Sequence, residues 1–243
     1  MKKFHLIIAI VVVILSLPFL SQANPSNSDR TITGNKVVVT QDRPVSSFHA
    51  LKVSGGIDVE LSQGKELKLQ IEADENVIAS IRTEVKDGVL TIYHEDNITN
   101  AKTMKIHLTF QQLDAITASG GCDINSKQKL TFTTLKTDLS GGCDIQLDCK
   151  ATNLYCTHSG GCDAKFSGEA ENCTLNVSGG CDVKAEELHL KNCTINASGG
   201  SDVTVNVTGE LTAKAEGASD ITYYGKPAKI MQSAHGASDI NAK

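Results

Sequence analysis

The amino-acid sequence predicts an all-β chain wound as a single-stranded β-helix, a β-solenoid of about 19 residues per coil. Three observations predict it. A six-residue motif recurs down the chain, apolar and polar residues alternate on either side of it, and a glycine pair inside it turns the backbone.

Taken in order, the first segment is an address rather than part of the fold. Lys2 and Lys3 precede an apolar run from Leu6 to Leu20, broken by Ser16 and Pro18, and Ser21-Gln22-Ala23 places small residues where a signal peptidase reads. Residues 1–23 therefore read as a signal peptide cleaved after Ala23. The run is shorter than the about 20 apolar residues that span a bilayer, so no transmembrane span is expected after cleavage. No Cys precedes Cys122, which leaves no lipid-modified N-terminal cysteine. Loss of Lys2 and Lys3 takes the formal charge to -5 - 2 = -7, an acidic exported protein of the periplasm or cell surface. Residues 24–36 are polar and carry Pro25, and read as a short tether.

The domain proper is expected over 37–243, with irregular coils over 37–112 and regular repeats over 113–243. Ser54-Gly55-Gly56-Ile57-Asp58-Val59 recurs as Ser119 to Ile124, Ser140 to Ile145, Ser159 to Ala164, Ser178 to Val183 and Ser198 to Val203. Gly217-Ala218-Ser219-Asp220-Ile221 and Gly236-Ala237-Ser238-Asp239-Ile240 are worn copies. From Asp123 onward the repeat aspartates are separated by 21, 19, 19, 20, 18 and 19 residues, too few for a helical hairpin and suited to one β-coil. Strand alternation places Leu135, Thr137 and Leu139, then Leu154, Cys156 and His158, then Cys173, Leu175 and Val177, on inward rows. Cys122, Cys143, Cys162 and Cys181 keep the same phase after the turn. Between Asp58 and Asp123, four alternating segments read as three irregular coils or a strand meander. Asp87-Gly88 reads as a tight turn, and Asp74 to Ile81 as a short capped helix. The handedness of the helix does not follow from the sequence.

Phe48-x-x-Leu51-x-Val53-Ser54-Gly55, Val59-x-Leu61-x-Gln63-Gly64, the Asp87-Gly88-x-Leu90 turn, the Ser-Gly-Gly-x-Asp-Ile repeats and Tyr223-Tyr224-Gly225-Lys226-Pro227 together resemble the putative auto-transporter adhesin, head GIN domain family of exported Bacteroidota proteins. The resemblance runs from about Val37 to Ile240. It implies a β-helical fold, an envelope location and an adhesion role, and it brings no catalytic residues.

Composition narrows the function. At 40% hydrophobic the chain buries a core, and with 4% aromatics, no Trp and 20 Gly that core is built from small and β-branched side chains. Arg30, Arg43 and Arg82 are the only arginines and no basic patch is visible, so nucleic acid is not an expected partner. Stacked repeat aspartates at about 4.8 Å repel by about 1 kcal/mol per neighbouring pair even in water, so an offset is needed. The leading reading makes each carboxylate a turn cap accepting hydrogen bonds from turn N–H groups or the Ser column. The weaker one is a Ca²⁺ ladder along Asp123, Asp144, Asp163, Asp182 and Asp202. The eight cysteines read mainly as buried free thiols and small fillers, because parallel stacking holds the Cβ atoms of the repeat column beyond the usual disulfide distance; the alternative is some disulfides, Cys173 with Cys193 or neighbours in the repeat column. No Ser-His-Asp or Cys-His spacing emerges, and His158 reads as a packed core residue. The expected function is a non-enzymatic cell-envelope adhesin-like or structural binding protein with no cofactor, its partner a glycan, surface polymer or envelope protein. The alternative is a carbohydrate-active β-helix enzyme, a lyase or hydrolase.

Overall fold

The computed structural model describes residues 30–243, so the expected signal peptide and residues 24–29 of the expected tether lie outside the described residues. The described chain is strand, turn and loop, with no helix. The repeat aspartates lie in one register, with Asp123 opposite Asp144, Asp163 opposite Asp182, and Asp182 opposite Asp202, then Asp220 and Asp239. Each coil is thus hydrogen-bonded in parallel to the next, as a solenoid requires.

The inward rows fill with the side chains that alternation selects. Leu135, Leu139, Leu154, Cys156, Leu175, Val177, Ile195, Ala197, Ala213 and Ala215 are all buried, as are the four cysteines after the turn. His158 sits on the same row at 0% exposure, its ring 6.3 Å from that of Phe166. Its Nε2 lies 3.0 Å from Thr137 Oγ1, while Nδ1 has no hydrogen-bond partner among the described residues.

The glycine pair does two different jobs. Gly120, Gly121, Gly141 and Gly142 all have positive φ, between 70° and 76°. From Gly160 onward only the first of each pair does, and there the coils approach closely. A Cβ on Gly179 would lie 2.4 Å from Gly160 O, and one on Gly199 2.6 Å from Gly179 O, whereas a Cβ on Gly180 would meet nothing within 4 Å. This is why the last two copies keep Gly217 and Gly236 but replace the second glycine by Ala218 and Ala237.

The fourth slot of the motif is more than a small filler. Cys143, Cys162 and Cys181 each place Sγ 3.2 Å from the carbonyl oxygen three residues back, and donate to it. Ser201 and Ser219 do the same from Oγ at 3.0 and 2.9 Å. Cysteine and serine alternate in this slot because both are compact donors that close the turn.

Two expectations for the N-terminal part need correction. The region between Asp58 and Asp123 supplies one coil rather than three, and of the strand meander only the antiparallel hairpin of Ile81–Lys86 with Val89–His94 is present. Val89–His94 lies parallel to Ala50–Ser54, and Met104–Phe110 parallel to Asp58–Gln63. Antiparallel strands Ile81–Lys86, Lys68–Asp74 and Val38–Arg43 cover that coil. The chain therefore lays down its second coil first. Ala50–Ser54 pairs in register with Ala115–Ser119 on its other side, which accounts for the echo between the Phe48 and Leu113 segments. Asp74 to Ile81 is not a helix. It holds one i to i+4 bond, Ile78 N to Asp74 O, because the buried Asp74 carboxylate is committed elsewhere. It accepts from the N–H groups of Lys36, Lys102 and Thr103 at 2.8, 2.9 and 3.4 Å. Burial opposes ionisation there, and those donors outweigh it and hold the carboxyl below its usual range. The same bonds pin the end of the expected tether, whose Thr31–Thr33 pairs with Asn97–Thr99. The Asp87-Gly88 turn is present, with φ of 52° and 76°.

Replacing Gly179 by Ala is expected to cost at least about 2 kcal/mol, from the left-handed backbone and the clash with the coil above. Gly180→Ala is expected to be neutral or to stabilise by about 0.5 kcal/mol through the unfolded chain. Urea denaturation of the two variants checks the contrast, and equal losses would contradict it.

Burial also holds the His158 imidazole down to about 4 from an ordinary value of 6.5. Below pH 6.5 the unfolded chain takes up a proton that the folded one refuses, so stability falls as pH drops from about 6.5 to about 4. The loss attributable to His158 is about 3 kcal/mol. His158→Leu is expected to flatten that window, read as the pH dependence of the urea midpoint.

Candidate functional site

Because inward positions are spent on the core, chemistry is confined to the outward columns. Each column repeats one position of the coil at the strand spacing of about 4.8 Å.

The first column is the acid ladder. At one end Asp58 lies opposite Lys105, and from Asp58 the carboxylates of Asp123, Asp144, Asp163, Asp182, Asp202, Asp220 and Asp239 follow. The structure does not place them as caps on the glycine turn. Asp144 accepts from the N–H of Asp163, and Asp220 from the N–H of Asp239, each at 3.2 Å across the coil boundary. Asp58 accepts likewise from the Asp123 N–H. The Ser column makes no hydrogen bond to the ladder among the described residues; its carbonyls serve the Cys and Ser slot instead. The aspartates thus stay largely uncompensated. Burial, and then repulsion from Asp182 and Asp220, raises Asp202 above the usual carboxylate range; burial, Asp58 and Asp144 do so for Asp123. Along Asp123, Asp144, Asp163, Asp182 and Asp202 the carboxylates run in single file. Among the described residues no three His, Cys, Asp or Glu side chains converge around one point as a metal ion needs.

Beside the ladder, Lys165 and Lys184 line a shallow cleft of about 270 Å³ with Asp144 and Asp163. On another side a groove of about 580 Å³ runs across several coils, floored by Phe132, Ala151 and Ala170 and walled by Lys150, Glu169 and His189. Lys150 Nζ lies 2.8 Å from Glu169 Oε1 on its wall. Neighbouring it, Asn153, Asn172 and Asn192 stack amide on amide at 3.1 and 3.0 Å.

One cluster escaped the sequence reading. His107 sits between Glu60, at 2.6 Å from Nδ1, and Glu72, at 3.1 Å from Nε2, with Lys127 at 2.7 Å from Glu60. Burial pushes the Glu60 carboxyl up, but Lys127, Lys105 and His107 outweigh it and hold it low. These residues come from three strands and a loop with no shared motif, and only the antiparallel cover over the first coil brings Glu72 to His107.

The thiols are ill suited to chemistry. All eight cysteines are free and buried. Burial pushes Cys122 up to about 11 and Cys149 up to about 12, so both stay protonated and unreactive at neutral pH. His158 lies in the core, and the exposed hydroxyl–imidazole contact of Ser233 Oγ with His235 Nε2, at 3.0 Å, stands on an open strand face near the last coil.

Residues 47–227 match the family described as putative auto-transporter adhesin, head GIN domain. The chain belongs to this family. A crystal structure of a putative adhesin from Bacteroides fragilis is similar at a TM-score of 0.84 and 25% identity, over 87% of this chain and 100% of that one. A putative lipid binding protein from Parabacteroides distasonis shares the fold at a TM-score of 0.73 and 21% identity, over 88% of this chain and 100% of that one. A putative adhesin from Parabacteroides merdae does so at 0.69 and 22%, over 88% and 99%. No curated protein matches.

For this member of the head GIN domain family the ladder geometry has a measurable cost. Asp202→Asn removes one of three adjacent like charges and is expected to stabilise the protein by about 0.5 kcal/mol at neutral pH and low salt. The gain should shrink as salt rises. A raised carboxyl makes the folded state the better proton binder, so the gain should also vanish as pH falls and the ladder protonates. Thermal scans at two salt concentrations and two pH values read both trends; destabilisation at neutral pH would mean that the carboxylate holds the turn after all.

Proposed function

We propose that this protein is a non-enzymatic binding protein of the cell envelope, exported and held at the periplasm or cell surface, that engages a surface polymer, glycan or envelope protein along its outward columns. The observation that carries this reading is repetition. The outward groups recur coil after coil at one spacing, which suits a ligand that is itself extended and repetitive. Catalysis asks instead for one acid, one base and one charge stabiliser singled out by environment. Membership of a family described as adhesins supports the same reading, and so does the fold shared with the Bacteroides fragilis putative adhesin. Nothing in the geometry favours a lyase or hydrolase. The glycosidase alternative needs two carboxyls with distinct roles across a cleft, and the aspartates stand in single file.

The test uses the mature chain on isolated cell-envelope material. Saturable binding that is lost on unfolding is expected, together with no release of reducing ends or unsaturated sugars from a polysaccharide panel. Turnover that disappears with a single aspartate while its ladder neighbours are silent would overturn the proposal.

A further inference from the structure

Resting on that binding role, the structure assigns one face and one ligand class. We infer that the outward face of the three strand segments leading into Ser159, Ser178 and Ser198 binds a neutral polysaccharide, with a sugar ring stacked on Tyr155.

The face is defined by register. Tyr155 lies beside Thr174 and Thr174 beside Thr194, while Thr157, Asn176 and Asn196 form the second column. Along a column the spacing is about 4.8 Å, and the columns stand two residues apart, about 6.7 Å. None of these six side chains is charged, in a chain where 21% of residues are. The coils on either side return to charge at once, with Lys136 and Asp138 at one border and Lys214 at the other. The acid ladder and the Lys150–Glu169 groove occupy the other outward surfaces. An uncharged island on a protein of net charge -5 disfavours an ionic ligand there and suits one rich in hydroxyls.

Tyr155 is 44% exposed, a large aromatic surface on an otherwise Thr and Asn face. Its hydroxyl makes no hydrogen bond to the described residues, so the ring stands as a platform for the C–H face of a pyranose. The neighbouring amides are already ordered. Asn196 Nδ2 donates to Asn176 Oδ1 at 2.9 Å, which leaves Asn176 Nδ2 as a donor and Asn196 Oδ1 as an acceptor toward solvent. Fixing those amides before binding lowers the entropy that a ligand must overcome. A peptide is a poorer fit. These strands lie within the stack with coils paired on both sides, so no backbone edge is open for strand addition.

Affinity electrophoresis of the mature chain through gels containing a neutral β-glucan, xylan or mannan, against anionic polygalacturonate, tests the assignment. Retardation by at least one neutral polymer is expected, unchanged from low to high salt. Tyr155→Ala should weaken it about ten-fold and Tyr155→Phe should retain it. Thr194→Lys should weaken it, and Asp163→Asn, on the acid ladder, should bind as the unaltered protein does. Equal melting temperatures for the variants exclude misfolding as the cause. Retention of envelope binding with no retardation by any neutral polymer would overturn this inference and leave the binding role standing. Salt-sensitive retardation by polygalacturonate, or loss of binding in Asp163→Asn with Tyr155→Ala silent, would move the site to a charged face and overturn it equally.

Discussion

The constraint on which this protein depends is the approach of one coil to the next at the first glycine of each repeat. The backbone there is left-handed, and from Gly179 onward the space where a Cβ would sit already holds the carbonyl oxygen of the coil before. Because that glycine sets where each coil turns, it sets the register of the strands on both sides of the corner. The aspartate, the inward aliphatic residues and the Thr and Asn columns then fall into line. A unit of about 19 residues cannot bury its own apolar face, so stability comes from stacking rather than from any coil alone.

Close stacking also dictates what fills the interior. With narrow coils there is room for Ala, Val, Ile, Leu and Cys and for few rings; Phe110 and Phe166 are the largest fully buried side chains. All eight cysteines fit this demand as compact apolar volume, and Cys122, Cys143, Cys162 and Cys181 fit it again as S–H donors that satisfy a carbonyl at the turn. Protonated thiols kept from solvent point to a structural use. His158 and its partner Thr137 are polar on these rows, the His158 ring held neutral by burial with one nitrogen unpartnered among the described residues.

Repetition on the outside has opposite consequences on different faces. Where the repeated residue is aspartate, like charges accumulate, and the ladder tolerates them because its members are largely solvated and three accept a backbone N–H from the following coil. Where the repeated residues are Thr and Asn, repetition costs nothing electrostatically and lets amides bond to their equivalents in the next coil. A binding face is more economically built from the second kind, because its groups need not be desolvated as ions when a ligand arrives.

The sequence by itself determined the β-solenoid, the coil length, the inward rows and the single file of aspartates, because each depends on spacing along the chain and on alternation of period two. It also pointed to the strands between Asp58 and Asp123. It misjudged Asp74 to Ile81, whose polar start and apolar spacing suit a helix while the Asp74 carboxylate is claimed by backbone donors from distant segments. It took the aspartates for turn caps, because a local motif shows the nearby Gly and Ser but not the N–H that the next coil brings up. Only the tertiary structure decided that the Val89–Phe110 segments form the first coil and that antiparallel strands cover it. It alone also brought His107 between Glu60 and Glu72 and left Tyr155 standing on an uncharged face. Each of these depends on which segments lie side by side in space, and that is set by packing between residues far apart in the chain, where spacing along the sequence carries no information.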